Sequence, residues 1–219
     1  LMSYIIACDK RWCLDLSKNL SRKSKNNFTQ IDNHRDLNLE KINLIKPKYI
    51  FFPHWSNIIK KEIYSNYDCI IFHMTDLPYG RGGSPLQNLI IKGFKETMVS
   101  AIKCEEGIDT GPIYLKRSLS LEGTASEIFD RTNKIIEKMI TSIIKNNMQP
   151  KPQIGKIVKF KRRKPSDGDW SDAQSLDQIY DYIRMLDSTD YPSAYVKVGN
   201  YKLEFSKAVK SSESLKANV

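Results

Sequence analysis

Apolar positions in this chain come in two rhythms. Residues 4–8, 48–52, 69–72, 99–103 and 113–117 form short runs rich in Ile, Val, Phe, Tyr and Cys, which the spacing predicts to be strands. Residues 11–20, 37–45 and 58–66 lie between them and space their apolar residues as helices do. Residues 21–34 are polar and are expected to form a loop. Ser84-Pro85-Leu86-Gln87 has the signature of a helix start: Ser84 as N-cap, Pro85 in the first position, Gln87 as capping-box partner, with Gly93 at the end. A longer helix is predicted over 125–146. Its apolar residues Ala125, Ile128, Phe129, Ile135, Ile136, Met139, Ile140 and Ile143 repeat at i, i+3, i+4, and Thr124 with Glu127 forms a capping box.

Composition shifts at Met148-Gln149-Pro150-Lys151-Pro152, and a boundary is placed there. Beyond it the pattern predicts a basic strand at 157–161, a helix at 176–186 capped by Ser175 with Gln178, and a hairpin over 194–205 turning at Gly199-Asn200. The Ser-rich tail after Lys210 is expected to be mobile. The fold class expected is α/β: a Rossmann-like, mainly parallel sheet with flanking helices over 1–150, and a small C-terminal α+β appendage over 151–219.

The chain has 219 residues, of which 40% are hydrophobic, enough for a real core. No apolar run approaches the ~20 residues that span a bilayer, so no membrane partner is expected. The run at 4–8 is too short for a signal peptide and is followed at once by Asp9-Lys10-Arg11. None of the four cysteines forms a CxxC pair, which argues against a zinc site. Cys8, Cys69 and Cys104 sit in apolar runs and read as reduced, buried thiols of a cytoplasmic protein. The net charge of +10 points to an anionic partner. The basic run Lys159, Lys161, Arg162, Arg163 and Lys164 suits either phosphates or a solvated strand edge.

Chemistry concentrates in two segments. In Phe72-His73-Met74-Thr75-Asp76-Leu77-Pro78-Tyr79-Gly80-Arg81-Gly82-Gly83-Ser84-Pro85 an apolar strand delivers a histidine into a loop rich in Gly and Pro. In Ile108-Asp109-Thr110-Gly111-Pro112 a carboxylate stands beside a Thr-Gly turn. A histidine with a carboxylate to orient it is a minimal kit for proton transfer.

These two segments, with Phe52-Pro53-His54-Trp55-Ser56-Asn57-Ile58-Ile59, resemble three ordered motifs of the folate-dependent formyltransferases. They resemble, respectively, that family's HxSLLP…RGxxP signature, its D-T-G loop and its pterin-pocket segment. The resemblance is good over 45–165 and looser in the flanks. The family includes the catalytic domain of methionyl-tRNA formyltransferase and the bacterial sugar N-formyltransferases. It implies transfer of a formyl group from 10-formyltetrahydrofolate to an amine. By position, His73 matches the histidine that takes the amine proton, and Asp109 the aspartate that orients or charges it. Phe52, Trp55, Ser56, Asn57 and Ile58 would line the pterin pocket, with Cys104, Glu105, Glu106, Gly107 and Ile108 as the opposite loop. Met74, Thr75, Asp76, Arg81, Gly82, Gly83 and Gln87 fall where the acceptor would bind. Thr75 and Asp76 suit a turn equally well, and Gln87 suits capping. One departure stands out: the family usually has Asn two residues before the histidine, to bind the oxyanion, and here that residue is Ile71. Losing such a donor typically costs ~3 kcal/mol of transition-state stabilisation.

The segments Lys161-Arg162-Arg163-Lys164-Pro165-Ser166-Asp167-Gly168, Tyr182-Ile183-Arg184-Met185-Leu186 and Tyr191-Pro192-Ser193-Ala194 resemble the KRRKPxDG…IRxL…YPxA linker of the sugar N-formyltransferases. That resemblance implies a nucleotide-linked amino-sugar acceptor, such as a UDP-linked 4-amino-altrose of a pseudaminic-acid-type pathway for surface glycans. No nucleic-acid partner is then expected, because the appendage is short for a tRNA platform; a homodimer is left open. The alternatives are a methionyl-tRNA formyltransferase-like enzyme and a non-catalytic folate- or nucleotide-binding module.

Overall fold

The computed structural model describes residues 1–13 and 15–219; Leu14, inside the helix expected at 11–20, lies outside the described residues. In chain order the elements are β1 (Ser3–Ala7), α1 (Leu16–Lys23), β2 (Asn27–Ile31), α2 (Leu39–Ile45), β3 (Tyr49–Pro53), α3 (Lys61–Tyr64), β4 (Cys69–His73), β5 (Arg81–Gly82), α4 (Pro85–Ile91), β6 (Glu96–Lys103), β7 (Ile113–Ser120), α5 (Ala125–Asn146), β8 (Lys159–Phe160), α6 (Leu176–Arg184), β9 (Ala194–Val198), β10 (Tyr201–Lys210) and β11 (Leu215–Asn218). Six strands make the main sheet, in the order β2-β1-β3-β4-β6-β7. Pairings from β2 through β4 are parallel, and β6 runs antiparallel to β4. This is the mainly parallel, Rossmann-like α/β sheet that the alternation of runs predicts.

Strands β1, β3 and β4 are apolar on both faces because both faces are covered. One face carries an aromatic ladder, with Tyr4 stacked near Phe28 and Tyr49, and Phe51 tilted on Phe72. The other buries Ile5, Ala7, Ile50, Phe52, Cys69 and Cys104 with Leu37, Ile42, Ile59 and Ile63. By the two-residue period of a strand, His73 shares the face of Cys69 and Ile71 and lies at the end of β4. Helix α5 starts from the expected box: Thr124 N–H donates to Glu127 Oε2 at 2.7 Å, and Glu127 N–H to Thr124 Oγ1 at 3.3 Å.

The chain divides into two compact units that interleave in sequence. Unit 1 comprises 1–81, 98–119 and 131–159; unit 2 comprises 82–97, 120–130 and 160–219. The boundary expected near 148–152 therefore falls within unit 1, which runs on to Lys159. In unit 2, Ser175 caps α6 by accepting from Gln178 N–H at 3.2 Å. Arg184 on α6 is 3% exposed; it pairs with Asp181 Oδ1 at 2.6 Å and donates to the carbonyls of Leu121 and Gly123. β9 and β10 form the expected hairpin about Gly199-Asn200.

Several local expectations are corrected. The polar stretch 21–34 holds the end of α1 and all of β2, an edge strand whose identity comes from its pairing with β1. The helix expected at 11–20 is a 3-10 turn at Arg11–Cys13 followed by α1. The helix expected at 58–66 shrinks to α3, and the basic strand at 157–161 to the two residues of β8. The tail after Lys210 folds back as β11 against β10. Ser84 precedes α4 but makes no side-chain cap; it adopts a left-handed conformation (φ 50°), and its Oγ accepts from Arg163 N–H. Cys8 is not a free thiol: it is disulfide-bonded to Cys13, while Cys69 and Cys104 are free and buried. Among the described residues no helix is long and apolar enough to cross a membrane.

Candidate active site

Three segments of unit 1 converge on His73. The first is its own loop. The His73 ring is 8% exposed and its Nε2 lies 2.8 Å from the Gly80 carbonyl. A carbonyl only accepts, so Nε2 carries hydrogen and Nδ1 is left to exchange a proton. The second is the turn after β6. There Asp109, with its side chain 12% exposed, sets Oδ2 at 3.6 Å from His73 Nδ1. Asp109 holds a left-handed conformation (φ 54°), and Thr110 Oγ1 donates to Glu106 O at 2.8 Å. Gly111 is required here, since a Cβ would run into the carbonyl of Lys103. The third is the stretch 151–158. Lys151 exchanges backbone hydrogen bonds with Ile113, and Val158 O accepts from both Gly80 N–H and Arg81 N–H at 2.9 Å. Gln153 lies between: its Nε2 donates to Asp109 O and Gly111 O, both at 2.8 Å, and its Oε1 accepts from Arg81 Nε and Nη2 at 3.1 and 2.8 Å.

The segments expected to hold the pterin also meet. Phe52 is fully buried, with Trp55 edge-on at 5.8 Å, and Cys104 packs in the same cluster. Burial pushes the Cys104 thiol up to about 11, so it is an apolar wall and not a nucleophile. Ser56 and Asn57 are exposed, and Asn57 Nδ2 donates to Asp9 Oδ2 at 3.2 Å. Two aliphatic side chains stand out in water, Ile58 at 94% and Ile108 at 72%, with Glu105, Glu106 and Gly107 exposed beside Ile108. The Trp55 indole nitrogen is buried with no hydrogen-bond partner. Exposed aliphatics over a ring-lined cluster with an unsatisfied donor fit a flat heteroaromatic ligand. His54, beside this cluster, is held neutral: burial, with Lys10 acting the same way, outweighs its 3.0 Å bond to Asn133 Oδ1 and lowers it to about 4.

The acceptor-side residues divide. Met74 and Thr75 are buried, Thr75 beneath Gly80 O and accepting at its own carbonyl from Ser100 Oγ at 2.7 Å. Asp76 is 61% exposed and pairs with Lys116 Nζ at 2.5 Å. Gly82, Gly83 and Gln87 belong to unit 2. A Cβ on Gly83 would lie 2.6 Å from Arg162 Cβ, so this glycine serves a close backbone approach. Gln87 is 2% exposed and donates to Met185 O, which replaces the capping role. With Ser84, Arg163, Lys164, Leu186 and Tyr191 it lines a cavity of about 90 Å³ within unit 2. Ile71 is packed against the apolar cluster and offers no side-chain donor. Ser100, opposite His73 across the β4–β6 ladder, and Gln153 are contributors that sequence reasoning missed. Gln153 sits between two prolines and an isoleucine in a stretch with no periodic signal.

Residues 15–144 match the family model described as formyl transferase. The chain belongs to the formyl transferase family. Residues 165–219 match a second family model, that of the methionyl-tRNA formyltransferase C-terminal domain. A solved structure, methionyl-tRNA formyltransferase from Clostridium thermocellum, is 50% identical, with a TM-score of 0.96 over 100% of this chain and 97% of that one. Among curated relatives, the methionyl-tRNA formyltransferase of Thermodesulfovibrio yellowstonii is 30% identical over 72% of this chain and 53% of its own length. The chain spans about half the length of the curated relatives it matches. HypX from Aquifex aeolicus, solved in complex with tetrahydrofolic acid, shares the fold at 20% identity, with a TM-score of 0.78 over 97% of this chain and 38% of that one.

These relatives overturn the expected acceptor. The nucleotide-linked amino-sugar reading, with its surface-glycan role and its exclusion of nucleic acid, rested on the 161–194 motifs and a short appendage. That appendage matches the methionyl-tRNA formyltransferase C-terminal model over 165–219, and the formyl transferases matched at 50% and 30% identity bear the methionyl-tRNA name.

Proposed function

We propose that this chain moves a formyl group from 10-formyltetrahydrofolate to the amino group of methionyl-tRNA. The observation that carries the reading is the end-to-end likeness, at 50% identity, to a methionyl-tRNA formyltransferase, joined to the His73–Asp109 pairing at 3.6 Å. The net charge of +10 and the largely exposed basic run Lys159, Lys161, Arg162, Arg163 and Lys164 suit a polyanionic acceptor.

The bound folate supplies the formyl carbon; the Phe52–Trp55 and Cys104–Ile108 segments are the residues that would hold its ring system. The neutral amine attacks that carbon, forming the new C–N bond, and the bond from the formyl carbon to the folate nitrogen then breaks. His73 takes the proton released by the amine at Nδ1, where Asp109 stabilises the imidazolium. His73 then gives that proton to the departing nitrogen, which regenerates the neutral imidazole and balances the proton count. With Ile71 unable to donate, the oxyanion falls to the imidazolium and to backbone N–H groups.

The test is direct. Purified protein is given 10-formyltetrahydrofolate and methionyl-tRNA at rising salt, and formyl-methionyl-tRNA is counted. Transfer that weakens steeply with salt is expected, because each neutralised phosphate adds to the salt slope. Folate turnover onto another amine, with methionyl-tRNA untouched, would overturn the reading.

A further inference from the structure

We infer that Gln153 is a positioning residue for the reaction: its single amide fixes the loop that presents Asp109 to His73 and ties that loop to Arg81. The inference rests on the formyl-transfer reading above and names a residue that this reading does not use.

The geometry is specific. A glutamine amide has a donor end and an acceptor end, and here both are engaged. The NH2 spans two carbonyls of one turn, Asp109 O and Gly111 O, each at 2.8 Å. The carbonyl oxygen receives two N–H groups of the Arg81 guanidinium, at 3.1 and 2.8 Å. That turn needs outside support. Asp109 is a non-glycine residue at φ 54°, a left-handed conformation that is disfavoured for an L-residue. Its exposed neighbours Glu105–Ile108 contribute little packing. Gln153 clamps the backbone on either side of Thr110, so the carboxylate is aimed by its own main chain. Its stretch is in turn pinned at both ends, by Lys151 against Ile113 and by Val158 beneath Gly80 and Arg81. Gly80 carries the carbonyl that orients His73 Nε2, so one stretch of chain sets both halves of the pair. Arg81 retains guanidinium N–H groups beyond the two given to Gln153, and these are available to an anionic or carbonyl group of the acceptor. Gln153 then links acceptor contact to the catalytic turn.

The experiment is a double-mutant cycle on the full chain, assayed by formyl transfer to methionyl-tRNA. Gln153→Met keeps the side-chain length and removes both hydrogen-bonding ends. It is expected to lower kcat about 10- to 100-fold, the scale of a ~1 Å misplacement, while folate affinity stays within about twofold. In an Asp109→Asn background the same change should cost less than about threefold, because the two residues act as one unit. Gln153→Glu keeps the acceptor end for Arg81 but sets a carboxylate oxygen against the carbonyls of Asp109 and Gly111, and should lower kcat at least as far as Gln153→Met. The ring ¹⁵N resonances of His73 give a readout independent of turnover, and are expected to shift in the same direction in Gln153→Met and in Asp109→Asn. Full additivity in the cycle, or unshifted His73 resonances, would overturn the inference. Absence of wild-type transfer would instead count against the acceptor assignment, with the resonance test still deciding the role of Gln153.

Discussion

His73 Nε2 and the Gly80 carbonyl, 2.8 Å apart, divide the labour of the imidazole ring. The nitrogen bonded to Gly80 is committed to donating, and the other, Nδ1, is the one that faces Asp109. In Asp109→Asn the geometry can persist but the charge that steadies an imidazolium is gone. We expect kcat to fall by about 10²- to 10⁴-fold with folate affinity preserved. Stopped-flow kinetics beside a folate titration checks both; a kcat within tenfold of wild type would remove Asp109 from the mechanism.

Gly111 has no room for a methyl group, because a Cβ would collide with the Lys103 carbonyl, and backbone cannot swing aside as a flexible side chain can. Gly111→Ala should destabilise the fold by about 1–3 kcal/mol and cut turnover more than stability, since it displaces the Asp109 turn. Urea unfolding and turnover measured on the same preparation separate the two effects.

Arg184 is a buried charge that pairs with Asp181, donates to the carbonyls of Leu121 and Gly123, and lies over the Tyr180 ring. Arg184→Met would leave Asp181 without its cation and the carbonyls of Leu121 and Gly123 without donors. A loss of about 3–5 kcal/mol is expected, the usual result of breaking a buried pair from one side. Chemical denaturation gives the number, and a loss under 1 kcal/mol would contradict the role given to Arg184.

His54 is held neutral, lowered by burial to about 4. The unfolded chain binds a proton there that the folded chain refuses. Stability attributable to His54 is therefore complete above pH ~6.5 and lost as the pH falls toward about 4, with a slope approaching 1.4 kcal/mol per pH unit. Thermal melts from pH 7 to 4 should show this slope in wild type and a shallower one in His54→Gln. Equal slopes would assign the acid sensitivity elsewhere.

The sheet was legible in the sequence because β1, β3 and β4 are short apolar runs covered on both faces, a pattern that leaves little choice. The boxes at Thr124–Glu127 and Ser175–Gln178 were legible because capping is local chemistry. β2 was missed because only Phe28 and Ile31 of its five residues are buried, and its strand character comes from β1 beside it. Ser84 was misread because a tertiary bond, to Arg163 N–H, took the oxygen that a cap would have used. His73 and Asp109 announced themselves through their loops, whereas Gln153 did not, since its partners lie more than 40 residues away in the chain. The acceptor was misread for a different reason. The reading rested on short motifs at 161–194, whereas the match to the methionyl-tRNA formyltransferase C-terminal model runs through 165–219.

His73, the proposed proton acceptor, offers the most direct test of formyl transfer by this chain. The measurement is single-turnover formyl transfer from 10-formyltetrahydrofolate to methionyl-tRNA, wild type against His73→Ala, with folate binding followed in parallel. We predict transfer in the wild type, a loss of at least ~10²-fold in His73→Ala, and folate affinity unchanged within about twofold. Transfer by His73→Ala at close to the wild-type rate would contradict that role.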